Sequence, residues 1–338
     1  MNELILTGLK ADTPVGAMAA FGLLRICDGI ADLGGVILHW RRVGGSYCAV
    51  VSTRRSLVAD ELVGVLVQFA KGAKDRAEFR WADQIAGADV AAYRSSAEAT
   101  LKMASADAHS EADWFSAFGS ELIVDDDDKL EPTPFDMTVA RQRFLADAAK
   151  LVGSIATGKK KGKAPEDSIR EVLFGPWRYE DDQHSLGWDP STARLGAYSF
   201  KAPTEMTNAG VRSAVWLALE SLPLFPCFCV NGELRTRGLL VRSRAVEFCW
   251  PVWRTPISLS TLKSLLALKA LTSEPVPVHE LEARGIVAVY RSRRAKPNKY
   301  LVCFQPALLC AGPFDTGHGR ERRGDVESPG GARVDGTR

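Results

Sequence analysis

The chain opens on a β-rich run, ELILTGL, and then changes period. Over ADTPVGAMAAFGLLRICDGI the apolar residues Met18, Leu23, Leu24 and Ile26 recur at helical spacing. Asp12 or Thr13 can cap that helix, and Pro14 suits its first turn, where no backbone N–H is needed. GGVILHWRRVGGSYCAVVST predicts a β-hairpin that turns at Val43-Gly44-Gly45. Residues 56–71 predict an amphipathic helix with Leu62, Val65, Leu66 and Phe69 inward, and residues 84–120 are Ala- and Ser-rich with helical character.

The acidic stretch DDDDKLEPTP (Asp125–Pro134) breaks this pattern and predicts a solvated connector, because four adjacent carboxylates repel one another. A helix is expected next over FDMTVARQRFLADAAKLVGSIATG, started by Asp136 or Thr138. A flexible basic linker, KKKGKAP, follows, and then a helix from Pro165 that Gly175-Pro176 ends. TNAGVRSAVWLALESL predicts a further helix. Beyond PCFCV the pattern turns mostly to strand, interrupted by a helix at Ser258–Ala270. A last hairpin is expected to pair Ile286–Arg291 with Tyr300–Gln305 across Lys296-Pro297-Asn298-Lys299. Residues from Asp315 onward are Gly-, Arg- and Asp-rich, which predicts a disordered tail.

Helices and strands mix here without regular β-α alternation, so the expected class is α+β with mostly antiparallel strands. The expected organisation is a hairpin-and-helix N-terminal half (1–157), a linker (158–165), a strand-rich basic C-terminal half (166–314) and the tail (315–338).

Composition adds a charge asymmetry. The net charge of +2 conceals 25 Lys and Arg against 32 Asp and Glu in residues 1–233, and 13 against 4 in residues 234–314. A basic region on an acidic body is a footprint for a polyanion or an acidic partner. No apolar run reaches the roughly 18–20 residues that cross a bilayer, and the N-terminus lacks a basic, then apolar, secretory pattern. A cytoplasmic protein without membrane contact is expected. The seven cysteines are scattered, with no C-x-x-C and no histidine at metal spacing, so neither a zinc site nor any cofactor is expected.

Motifs of catalysis are scarce. Gly153-SIAT-Gly158-Lys159-Lys160 has phosphate-loop spacing, but Lys160 stands where a magnesium-binding hydroxyl is needed, and a helix rather than a strand leads in. Asp181, Asp182, His184 and Asp189 can be drawn as a metal cluster, although their spacing fits no defined site. In LGWDPSTARLGAYSF, Trp188 calls for burial, and Asp189-Pro190-Ser191-Thr192 is turn chemistry in which a carboxylate accepts backbone amides. Trp188, Asp189 and Pro190 are therefore expected to be structural, with a strand from Arg194 to Phe200.

With these residues in view, the chain resembles a family of CRISPR-associated proteins from subtype I-G (formerly I-U) loci, described as an extension of the CRISPR helicase-nuclease. The segments that carry the likeness are TGLKADTPVGAMAAFGLLR, TPFDMTVARQRFL, FGPW, GWDP, ALESLPLFP, FCWPVWRTPISLSTLKSLLAL, RGIVAVYRSRR and CFQPALL, in that order. The resemblance implies a role in antiviral defence beside an effector complex, with effector subunits or the helicase-nuclease as partners, and it implies no catalytic residues.

Two functions follow as expectations. The first is a non-catalytic accessory protein that binds RNA, DNA or an effector subunit through Arg235, Arg237, Arg242, Arg244, Arg284, Arg291, Arg293, Arg294, Lys296 and Lys299. Tyr290, Trp250 and Trp253 are interleaved with these cations and would stack bases if exposed. The alternative is a metal-dependent nuclease built on Asp181, Asp182, His184 and Asp189.

Overall fold

The computed structural model describes residues 2–73, 89–103, 112–139, 142–157, 163–181, 185–191, 210–242, 245–298 and 301–312. The linker residues 158–162, the strand expected over Arg194–Phe200 and the expected tail lie outside them.

Strand β1 (Asn2–Lys10) hands the chain to helix α1 (Pro14–Asp28) in the way its sequence requires. The Thr13 hydroxyl accepts the Gly16 N–H at 3.1 Å, and Pro14 occupies the first turn. Residues 14–27 of α1 are buried all round, apolar or small except for Arg25, as a helix in the middle of a core requires. Strands β2 (Ile37–Val43) and β3 (Ser46–Thr53) form the expected hairpin. Val43 pairs with Ser46 across Gly44-Gly45, and Gly44 takes a positive φ of 60°. β1 adds to β3 antiparallel, in the order β1-β3-β2.

Helices α2 (Ala59–Ala73), α3 (Val90–Met103) and α4 (Ala112–Phe118) lead to the pair β4 (Gly119–Val124) and β5 (Leu130–Pro132). The run of aspartates is the exposed turn of that pair. Asp125 Oδ1 accepts the N–H groups of Asp127 and Lys129, at 3.0 and 2.8 Å.

Helix α5 is Phe144–Thr157, not a helix begun at Asp136. The Asp136 carboxylate instead accepts the Thr138 N–H and hydroxyl, a local turn that competes with helix formation. Helix α6 (Pro165–Phe174) ends at Gly175 as expected, and helix α7 covers Arg212–Glu220.

After the pair β6 (Cys227–Val230) and β7 (Glu233–Thr236) comes a five-stranded antiparallel sheet. Its strands are β8 (Leu239–Arg242), β9 (Ala245–Trp253), β10 (Ile286–Asn298), β11 (Leu301–Phe304) and β12 (Leu308–Ala311). Helices α8 (Leu259–Leu266) and α9 (Val278–Ala283) lie in the β9–β10 connection. Helix α8 stops short of Ala270, and a 3-10 turn takes over at Lys269–Thr272. The last hairpin differs in register from expectation. β11 pairs with Arg294, Ala295 and Asn298, while Val289–Arg291 pair with β12.

The α+β class holds, with mostly antiparallel sheets. The expected halves, however, share one core, a cluster running from Leu6 to Phe304. The Trp250 indole donates to Ala11 O at 2.8 Å and that of Trp253 to Leu38 O at 2.9 Å, while Thr7 Oγ1 donates to Phe174 O at 2.6 Å. Lys163, at the end of the linker, is anchored by Glu171 and by Glu180 at 3.1 Å. Among the described residues, no helix is long and apolar enough to cross a membrane.

Candidate nucleic-acid interface

The ten cations singled out in the sequence do not form one surface. Arg235 pairs with Glu233, and Arg284 with Glu280 at 3.2 Å one helical turn away. Arg242 pairs with Glu274 and lies 3.4 Å from Glu247. Arg237 is half-buried and reaches Leu224 O at 3.5 Å, and burial pushes its guanidinium below the usual value. Arg244 and Lys299 lie outside the described residues.

Arg291 is a correction. It is only 6% exposed and donates to Leu271 O at 3.1 Å, to Ser273 O at 2.9 Å and to Glu274 at 3.0 Å. The segment after α8 folds over this end of β10, and Arg291 satisfies its backbone carbonyls. Arg291 is an internal clamp, not a phosphate contact. The aromatic partners are likewise internal: Trp250 and Trp253 are 0% and 2% exposed, and Tyr290 is half-buried and stacked on Trp250 with centroids 5.9 Å apart.

Three of the cations do come together. Arg293, Arg294 and Lys296 line a cleft of about 710 Å³ with Thr138, Val139, Ala295, Pro297, Val302 and Gln305. It lies where the β10–β11 register slips between Ala295 and Asn298. Arg293 and Lys296 are exposed, while Arg294 is half-buried. Arg294 donates to Asp136 O at 3.3 Å, and burial lowers its pKa from the ordinary value against the pull of the Asp136 carboxylate. An arginine remains cationic under such a shift. Asp136 is itself buried, which pushes its carboxyl up, and its bonds to Thr138 hold that residue at the cleft wall. None of the described lining residues is acidic. Arg293 does face Glu247 directly across the β9–β10 ladder.

Comparison with protein-family models, with curated proteins and with solved structures returns no match.

The WDP segment behaves as its residues suggest. Trp188 is fully buried and donates to Phe135 O at 2.9 Å, Pro190 is buried, and Asp189 Oδ1 accepts the Ser191 N–H at 2.9 Å. Gly187 has a φ of 79°, and a Cβ there would lie 2.6 Å from Val302 O, so only glycine lets this turn pack against β11.

The two described members of the nuclease set, Asp181 and Asp189, each have partners of their own. Asp181 Oδ2 accepts the backbone N–H of the buried Arg212 at 2.9 Å, and Oδ1 lies 3.7 Å from its Nε. Asp182 and His184 lie outside the described residues. Among those described, no three His, Cys, Asp or Glu side chains converge as metal ligands.

Sequence reasoning missed a second cleft, of about 640 Å³, where Lys10 and Thr13 meet Trp177, Tyr179, Ser191 and Pro306. Its walls come from four distant segments, and the signal in the sequence was only that TGLKADTP, FGPW, GWDP and QPALL are each proline-marked. Tyr179 stands there with a left-handed φ of 56° and donates to Ser191 Oγ at 3.4 Å; burial raises its hydroxyl to about 12.

Asp189, 2% exposed behind that cleft, has its carboxyl pushed above the usual range by burial. A raised folded-state pKa means the folded chain binds more protons than the unfolded chain between the two values. Stability from this group is then complete below the ordinary carboxylate range and falls as pH rises through the shifted value. Asp189→Asn keeps the acceptor for Ser191 and removes the buried charge. It should match or exceed the parent in urea at neutral pH and lose that advantage at low pH. Asp189→Ala should cost about 1 kcal/mol or more through the lost turn bonds. An asparagine variant as damaged as the alanine variant at neutral pH would contradict this reading.

Proposed function

We propose that this chain is a non-catalytic accessory protein of a type I CRISPR antiviral defence system, working in the cytoplasm beside the effector complex and binding nucleic acid through the cleft of Arg293, Arg294 and Lys296. The observation that carries the binding reading is that Arg293, Arg294 and Lys296 border one cleft whose described lining residues include no carboxylate. Cations grouped this way neutralise a run of phosphates and release its counterions. The defence role is supported by the ordered likeness of segments across the chain.

The test is a salt titration on fluorescent oligonucleotides with the parent and the double variant Arg293→Ala/Lys296→Ala. Both changed residues are exposed, so the fold should survive. The log–log slope should fall by about 1.4 on single strands, two contacts at roughly 0.7 each. Absence of binding near physiological salt, or an unchanged slope, would overturn the reading. Co-purification with neighbouring locus products then separates the partners. A protein that survives nuclease digestion with the parent, and is lost with the double variant, would reassign the cleft to an effector subunit or the helicase-nuclease.

A further inference from the structure

We propose that the cleft walled by Lys10, Trp177 and Tyr179 binds a small molecule made of a flat, apolar ring that carries one anionic group. This goes beyond the nucleic-acid reading and does not depend on it.

The walls favour a ring. The cleft holds about 640 Å³, within the roughly 300–1,000 Å³ of small-molecule pockets, and Phe174, Trp177, Tyr179 and four prolines line it. All three aromatic side chains are half-buried. The Trp177 indole donates to Val172 O at 3.1 Å, so its polar atom is satisfied within the protein and what it offers a ligand is apolar surface. Trp177 and Tyr179 meet edge to face, with centroids 6.3 Å apart and planes at 64°, which leaves an angled corner between them. A flat ring fits such a corner by stacking on one wall and turning its edge to the other.

The charge favours an anion. Lys10 and Asp12 are the charged residues among the described lining. The Asp12 carboxylate is turned elsewhere: Oδ2 accepts the Ser46 hydroxyl at 2.8 Å, and Oδ1 is buried away from solvent. Lys10 is exposed and enters no ion pair among the described residues. A lysine ammonium is a compact point charge, so one lysine suits one carboxylate, sulfonate or phosphate group.

The cleft is also shaped before a ligand arrives. Tyr179 has a φ of 56°, in the left-handed region that a non-glycine residue keeps only where its surroundings fix it. Its hydroxyl is held by Ser191 at 3.4 Å and by the buried Asp189 carboxylate. Opposite, Thr7 Oγ1 donates to Phe174 O at 2.6 Å, and a Cβ at Gly8 would lie 2.3 Å from Val172 O, so β1 sits hard against the end of α6. Walls fixed in this way lose little entropy on binding.

The experiment is isothermal titration calorimetry on the full chain with three probes that share a naphthalene ring: naphthoate, naphthamide and naphthylmethylamine. Naphthoate should bind about three- to fivefold more tightly than the amide, the range of one exposed ion pair, and the amine should bind most weakly. Lys10→Gln should lower naphthoate to the affinity of the amide and leave the amide unchanged. Lys10 is exposed, so this variant should fold and carries the test by itself. Trp177→Leu should weaken acid and amide alike, by about fivefold or more. Arg293→Ala/Lys296→Ala should bind naphthoate as the parent does, which distinguishes this cleft from the other. If no probe binds at about 1 mM, or if amide and amine bind as tightly as the acid, the proposal falls. It falls too if Lys10→Gln keeps the preference for the acid, or if Arg293→Ala/Lys296→Ala abolishes it. None of the probes is a nucleic acid, so such a failure leaves the nucleic-acid reading untouched.

Discussion

Gly22→Ala should destabilise the protein by about 3 kcal/mol or more, because the methyl group has nowhere to go. A Cβ at position 22 would sit 1.8 Å from Leu217 O and 3.0 Å from Ser221 N, so the obstruction is backbone on the facing helix. No rotamer change relieves a clash with backbone. α1 and α7 would have to separate, and both lie in the middle of the shared core. Gly64→Ala is the matched control: it lies on exposed helix surface with nothing within 4 Å of the new Cβ. That change should be neutral or stabilising by up to about 1 kcal/mol, since alanine has the better helix propensity. Denaturant midpoints that move equally for the two variants would show that α1 and α7 do not pack at this distance.

The second large effect is expected at the ion pair between the same two helices. Arg25 Nη1 lies 3.2 Å from Glu220 Oε2, with side chains 6% and 0% exposed, and the guanidinium sits 5.3 Å over the Trp114 ring. Removing one member of a buried pair leaves the other charge desolvated, so Glu220→Ala should lose about 3–5 kcal/mol. The double change Arg25→Met/Glu220→Leu removes both charges and keeps the volume, and it should recover much of that loss. A double variant no better than the single one would mean that shape, not charge, carries this contact.

Much of the fold was legible because much of it is local. Thr13 and Pro14 announce α1 within four residues, Gly44-Gly45 announces the first hairpin, and Gly175 ends α6 where its positive φ of 67° requires. Trp188 and Asp189 could be read for the same reason: the Asp189 bond to Ser191 spans two residues. Asp136 shows the limit, since a side-chain turn and a helix start have the same residues and differ only in which backbone N–H is captured.

The candidate site was legible in composition but not in membership. Strand alternation puts Arg291 and Arg293 on one side of β10, yet one is buried and the other exposed. The difference comes from Leu271, Ser273 and Glu274, about twenty residues upstream, which cover one end of the strand and leave the other open.

The sequence by itself determined the α+β class, the Thr13 cap, the Gly44-Gly45 and Asp189 turns, and the concentration of positive charge in residues 234–314, because each depends on composition or on neighbours within a few positions. Only the tertiary structure decided that the two halves share a core and that Trp250 and Trp253 are internal. It also decided that, among the described cations, Arg293, Arg294 and Lys296 share a cleft. Burial and access depend on which distant segment lies across a side chain, and periodicity along the chain carries no record of that.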